Sequence, residues 1–284
     1  MDRCRHQDLH RSDLVSIRQV TVPPHVRIKR RYERRFSVAI ITSGLLNYRI
    51  GYEAWTLDSG EALLIGRGNV ARLDHPSAKG GHSAVLLDPA SDLIAETFGD
   101  KFVGTDQPSS PVAATMRLRL LAQVVLQSAI AADPLALDEW ALAALREAAA
   151  RPPGRPAPES GLVVRAKEYL HDYDGDRLNL RDIARAIGVT AGYLTQQFRL
   201  AEGIPLYRYH RQLRLGRALR ELPHCNDITQ LALELGFSSH SHFTSSFRDA
   251  FGLTPSQYRD LAGTRALERF ANEIGSIGGR RRAA

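Results

Sequence analysis

"GFSSHSHFTSSFRDAFGLTPSQYR", Gly236–Arg259, decides how this chain is read. Phe243, Phe247 and Phe251 recur at i, i+4 and i+8, and Ala250 joins them at i+7. That spacing is one face of an amphipathic helix. His240 and His242 resemble a metal-holding H-x-H pair, but residues two apart on a helix point away from each other. A zinc site also needs further Cys, His or carboxylate ligands close by. None stands at a recognisable spacing, so no metal and no cofactor is expected. What remains is a helix with an apolar back and a short, polar, hydrogen-bonding front.

The same pattern occurs upstream. "DIARAIGVTAGYLTQQFR" (Asp182–Arg199) aligns with "QLALELGFSSHSHFTSSFR" (Gln230–Arg248). Ala184 matches Ala232, Gly188 matches Gly236, Leu194 matches Phe243, Phe198 matches Phe247 and Arg199 matches Arg248. The second copy has one extra residue in its turn. In each, a helix opens on a capping residue, Asn179 or Asp227, the latter with Gln230 placed as in a capping box. It carries a small Ala where another helix approaches, and it ends at a Gly able to adopt positive φ. Val189 or Phe237 then plugs the core, and Thr190 or Ser238/Ser239 caps a second helix. This is helix-turn-helix grammar, in which the second helix enters the DNA major groove. One such unit also occurs in enzymes. Two, joined by the basic helix "LYRYHRQLRLGRALRE" (Leu206–Glu221), point to a duplex.

Residues Leu162–Arg259, about a third of the chain, resemble the DNA-binding domain of AraC/XylS-family transcription regulators. The most specific stretch is "DITQLALELGFSSHSHFTSSFRDAFGLTPSQYR", and "LRLGRAL" in the joining helix also fits. The resemblance implies base contacts at Gly192, Thr195 and Gln196, then at His240, Ser241, His242 and Ser245. Helical geometry gives an overlapping set. Opposite the apolar face, at about 100° per residue, lie Gly192, Gln196 and Arg199 in the first unit. In the second lie Ser241, Ser245 and Arg248, with Thr195 and Thr244 on the flanks. Gln196 suits adenine, and His240 or Ser241 a guanine acceptor. Arg199 and Arg248 suit phosphate. Arg208, Arg211, Arg214, Arg217 and Arg220 form a basic stripe on the joining helix, with Arg214 at a position the family uses structurally. In the closing segment, Gly252 ends the helix, Thr254 caps a new one with Pro255 first, and Tyr258 packs back on the bundle.

Bulk properties agree. The 284 residues carry a net charge of +7, with 43% hydrophobic and 24% charged residues. This is globular composition, enough for two domains, with a bias toward an anionic partner. Two cysteines far apart, Cys4 and Cys225, give no disulfide or zinc framework and suit a reducing compartment. The polar N-terminus has no signal-peptide pattern, and "LLAQVVL" is too short to span a bilayer. A cytoplasmic protein is expected. "RPPGRPAPESG" (Arg151–Gly161) reads as a linker. The expected division is 1–150 for sensing and dimerisation, 151–161 as linker, 162–262 for DNA binding and 263–284 as tail.

Before the linker, short apolar runs such as "FSVAII", "LLNYRI", "EALLI" and "SAVLL" alternate with "SG", "DSG", "GRGN" and "KGG" turns. They predict a small sandwich or barrel between about Phe36 and Asp88. Helices are predicted over Pro111–Ala131 and Pro134–Ala150, both more apolar than one buried face requires. A dimer contact or packing on the barrel would explain that surplus equally well. This half resembles, more loosely, the cupin-type sensor of the same family. It keeps Gly60-Glu61 but lacks the His and Glu set of metal-holding cupins. Tyr48, Tyr52, Trp55, His75 and His82 are candidate lining of a barrel mouth, though such residues are more often core or surface filler. No effector-binding residue is singled out.

The expected architecture is a two-domain α+β protein, a small cupin-like β-barrel with helices followed by an all-α domain with two helix-turn-helix units. The expected function is sequence-specific transcription regulation, as an activator. It would act on promoter DNA as a homodimer with RNA polymerase, under control of a small-molecule effector or regulatory protein, with no catalysis. The alternative is a DNA-repair or metal-dependent enzyme bearing the same module. A suicidal alkyl acceptor of that kind needs an activated cysteine, for which neither Cys4 nor Cys225 has the setting.

Overall fold

Period-two alternation builds the N-terminal half, and both sides of one sheet are apolar. The computed structural model describes residues 4–59, 61–76, 80–104, 109–113, 115–131, 133–150, 161–173 and 178–261. The linker expected over 151–161 falls outside them except for its last residue, and the tail expected over 263–284 falls wholly outside. β1 (Arg5–Arg11), β2 (Val15–Val22), β8 (His82–Pro89), the first half of β4 (Ser37–Ile50), β6 (Glu61–Ile65) and β9 (Ser110–Ala113) pair antiparallel in that order. The second half of β4 crosses to another sheet with β5 (Glu53–Asp58), β7 (Val70–Asp74) and β3 (Ile28–Tyr32).

Ala39, Ile41, Leu63, Ala84 and Leu86 face the space between the sheets, with Tyr48, Trp55 and Leu57 from the second sheet. Their neighbours Val38, Ile40, Leu64, Val85 and Leu87 face outward, onto helices. Burial on both faces explains why these strands read as unbroken apolar runs.

Three expectations need correcting. "SG" is not a turn: Gly44 bends one continuous strand at φ +79°, close against Gly81. Strands also precede Phe36, in segments too polar on one side to stand out. Pro111 belongs to β9, so the first long helix is α2 (Met116–Ala131), preceded by α1 (Ser91–Phe98) and followed by α3 (Pro134–Ala149).

The helical half follows. α4 is Gly161–Asp172, α5 Leu180–Ala186, α6 Ala191–Glu202 and α7 Leu206–Glu221. α8 is Ile228–Glu234, α9 His240–Phe251 and α10 Pro255–Leu261. α2 lies between the outer face of the first sheet and helices α7 and α9. Leu118, Leu120, Leu121, Val124 and Val125 are all buried there. The surplus apolarity of α2 is used inside the chain, against the C-terminal half.

Candidate nucleic-acid interface

The two helix-turn-helix units are built by the same local devices. Asn179 Oδ1 accepts from the Arg181 amide at 2.9 Å, and Asp227 Oδ1 from the Thr229 and Gln230 amides at 2.7 and 3.2 Å. Each first helix closes on a left-handed glycine, Gly188 at φ +77° and Gly236 at +73°. The closing bonds match: Val189 N to Ala184 O and Phe237 N to Ala232 O, both 2.9 Å. This is the paired-carbonyl stop that glycine permits. Thr190 and Ser239 then cap α6 and α9 at the Tyr193 and His242 amides. The capping box expected of Gln230 does not form, because its side chain donates to Glu234 at 2.8 Å. That box forms instead before α10, where Thr254 and Gln257 cap each other reciprocally.

Leu194 and Phe198, and Phe243, Phe247 and Phe251, are buried as their spacing requires. The faces opposite are open. Gly192, Gln196 and Arg199 are exposed on α6, and His240, Ser241, Ser245 and Arg248 on α9. Beside them lie Tyr193 and Leu200, large exposed apolar side chains that face-counting alone passes over. The flanking threonines turn inward. Thr195 donates to the Ala191 carbonyl at 2.9 Å. Thr244 is half-buried, its enclosed hydroxyl without a partner among the described residues. His242 is exposed, but its ring meets Phe237 edge-on at 5.5 Å and its Nδ1 pairs with Ser238 at 3.0 Å.

The arginines of α7 do not form one stripe. Arg214 donates to the Leu235 carbonyl and stacks 4.2 Å over Phe237, joining α7 to the second turn. Arg220 reaches the Thr42 carbonyl of β4 at 2.9 Å. Arg208, Arg211 and Arg217 stay exposed. Tyr258 is buried and donates to the Leu219 carbonyl at 3.1 Å.

Four of the expected N-terminal lining residues meet in pairs, Tyr48 with Trp55 and His75 with His82, and Tyr52 stands apart. Tyr52 is fully exposed on the β4–β5 turn, while Tyr48 and Trp55 are packed between the sheets. His75 and His82 pair at 2.7 Å, and burial, with His75 alongside, pushes His82 down to about 3. Among the described residues no group of three or more His, Cys, Asp or Glu could hold a metal. One cavity, of about 580 Å³, opens at one end of the sandwich, lined by His10, Arg18, Arg31, Glu33, Ser37 and Asp88 among others. Arg18 and Ser37 both donate to Asp88 at 2.7 Å, and Tyr48 donates to Glu33 at 3.2 Å. Burial raises the Glu33 carboxyl, against the pull of Arg31 and Tyr48. Burial also raises the Cys225 thiol, the reverse of an activated nucleophile.

Two capped recognition helices joined by a long helix define a double helix-turn-helix regulator. A helix-turn-helix domain family matches residues 183–260. Regulatory protein SoxS of Salmonella typhimurium is 34% identical over 93 residues, 32% of this chain and 87% of SoxS. The HTH-type transcriptional activator RhaS of Escherichia fergusonii is 30% identical over 92 residues, 32% of this chain and 33% of RhaS. A solved transcriptional regulator with an AraC-type DNA-binding domain, from Chromobacterium violaceum, is 30% identical. That match covers 37% of this chain and 95% of the solved one, with a TM-score of 0.35. The matched stretch spans about a third of the length of the longer curated relatives. The chain belongs to the AraC/XylS family of transcription regulators. Among the described residues no helix is long and apolar enough to cross a membrane.

Proposed function

We propose that residues 162–262 bind promoter DNA sequence-specifically through α6 and α9, and that residues 1–150 place this binding under effector control. The carrying observation is the matched pair of open polar faces, each on a capped helix behind a left-handed glycine. Gln196, with Gly192 beside it, reads one major groove; His240, Ser241 and Ser245 read the next. Arg199 and Arg248 hold phosphate. Thr195, His242 and Thr244 act at the margins, shaping the helix starts. The similarity to RhaS, named as an activator, supports activation, for which contact with RNA polymerase would be the means. The cavity lined by Arg18, Arg31, Glu33 and Asp88 suits a small polar effector, whose charged groups would exchange with these internal ion pairs. Exposed Ile130 and Leu135, at the α2–α3 turn, support a homodimer contact.

Selection of duplexes from a random pool by the full chain, followed by footprinting, tests this reading. The expected footprint covers two successive major grooves on one face, about 34 Å apart. Selection of no consensus, or protection of a single groove, would overturn it.

A further inference from the structure

The two reading units are attached to the N-terminal half by different chemistry. The second unit shares its core with that half. Phe243, Phe247 and Tyr258 belong to one continuous apolar cluster with Leu121 and Val125 of α2 and Ile40 of β4. The first unit has a core of its own, Val163, Ala166, Ile183, Leu194, Phe198 and Leu206 among others, and among the described residues none before Leu162 belongs to it.

Where α4 runs beside β4, buried charges tie the first unit to the sandwich. Lys167 of α4 is fully buried. Its Nζ lies 2.8 Å from Glu202 Oε1, at the last residue of the recognition helix α6. It lies 3.9 Å from Asp58 Oδ2 and 3.9 Å from Glu61 Oε2, on either side of the β5–β6 turn. The Tyr209 hydroxyl of α7 donates to the same Asp58 oxygen. Arg119 of α2, also buried, donates to the Gln212 carbonyl of α7 at 3.0 Å. Burial would raise the Asp58 carboxyl, but Lys167, Arg119, His171 and Tyr209 outweigh it and hold Asp58 below the ordinary range. An ammonium enclosed like Lys167 is stable only while its carboxylates surround it. The cluster therefore opens as a unit.

We propose that Asp58, Lys167 and Glu202 form a polar lock through which the N-terminal half positions the first recognition helix, while apolar packing holds the second permanently. Asp58, Lys167 and Tyr209 are positioning residues, acting on DNA through α6. The lock lies in line with the sandwich interior, since β5 also carries Trp55 and Leu57 between the sheets. A shift of that strand reaches α6 through Lys167, at Glu202, and through Tyr209, whose ring packs edge-on against Phe198. Control then falls on one of the two DNA boxes and spares the other, a refinement that rests on α6 and α9 being the reading helices.

The test uses the full chain with Asp58→Asn and, as a milder change that leaves the ion pair intact, Tyr209→Phe. Hydrogen exchange resolved by peptide should accelerate at least about tenfold across residues 161–202 in Asp58→Asn. Peptides of α8 and α9 should stay within about twofold of wild type, and Tyr209→Phe should show the same pattern at smaller size. On a duplex selected by the wild-type chain, the half-footprint lost in Gln196→Ala should weaken about tenfold in Asp58→Asn, the other half at most about twofold. Equal acceleration in both units, or equal weakening of both half-footprints, would mean general loss of stability and overturn the lock. Unchanged exchange would overturn it too. If the wild-type chain selects no duplex, DNA reading itself fails, and the exchange pattern alone decides the lock.

Discussion

Replacing Gln196 with alanine separates reading a base from holding the backbone. The side chain is exposed and makes no hydrogen bond among the described residues, so the fold loses nothing with it. Alanine is the better helix former, and the expected change in stability is within about 0.5 kcal/mol. On DNA the loss is larger. A two-bond contact to adenine is worth about 1–3 kcal/mol of discrimination, or roughly 5- to 150-fold in Kd at 25 °C. Glutamine carries no charge, so no counterion is released on its account, and the slope of log K against log salt should not move. The assay is fluorescence anisotropy on a selected duplex, on single-base variants and on random sequence, each at several salt concentrations. The expected result is weaker binding to the selected site, indifference to base identity at one position, and unchanged affinity for random DNA. Equal loss on selected and random duplexes would refute the assignment and make Gln196 a backbone contact.

Arg248→Ala should behave in the opposite sense, weakening all duplexes alike and lowering the salt slope by about 1, as a phosphate contact does; an unchanged slope would remove it from the interface. His82 makes the fold acid-sensitive. Its folded pKa, about 3, lies below the unfolded value of 6.5, so its neutral form favours the fold fully above pH 6.5 and that contribution is lost as pH falls. At pH 5 the loss is about 2 kcal/mol. His82→Gln should therefore lose about 2 kcal/mol less than wild type between pH 7.5 and 5 in urea titrations, and identical pH profiles would contradict the burial argument. Gly44→Ala would place a Cβ 1.9 Å from the Gly81 carbonyl oxygen at φ +79°, and should cost at least about 3 kcal/mol. A urea midpoint close to wild type would show that β4 can bend elsewhere.

The helix-turn-helix units were legible because every feature that builds them is local. Caps, the glycine stop and the phenylalanine spacing all act within one or two turns of chain, so Asn179, Gly188 and Phe198 announce themselves in order. The finer faces were less so. Thr244 stands on the flank by angle, yet its hydroxyl turns inward, and Arg214 looks like a member of a basic stripe until Leu235 and Phe237 are seen beneath it. The lock could not be read at all. Asp58 stands in "LDSG" as an ordinary turn residue, Lys167 as one charge on a mixed helix and Tyr209 as one aromatic among several. Only the fold brings them together, across 151 residues between Tyr209 and Asp58. The mouth of the sandwich was missed for a related reason. Arginines paired with buried carboxylates look, in sequence, like any solvated surface.

The position of α2 matters to anyone recombining such regulators. Cutting at the proline-rich segment would strip the C-terminal helices of the partner that covers Phe243 and Phe247, leaving greasy surface on the donor and a hole in the recipient. A cut ahead of Met116 only moves the damage, baring the sheet face that α2 also covers, so a working chimera needs α2 refitted to both neighbours.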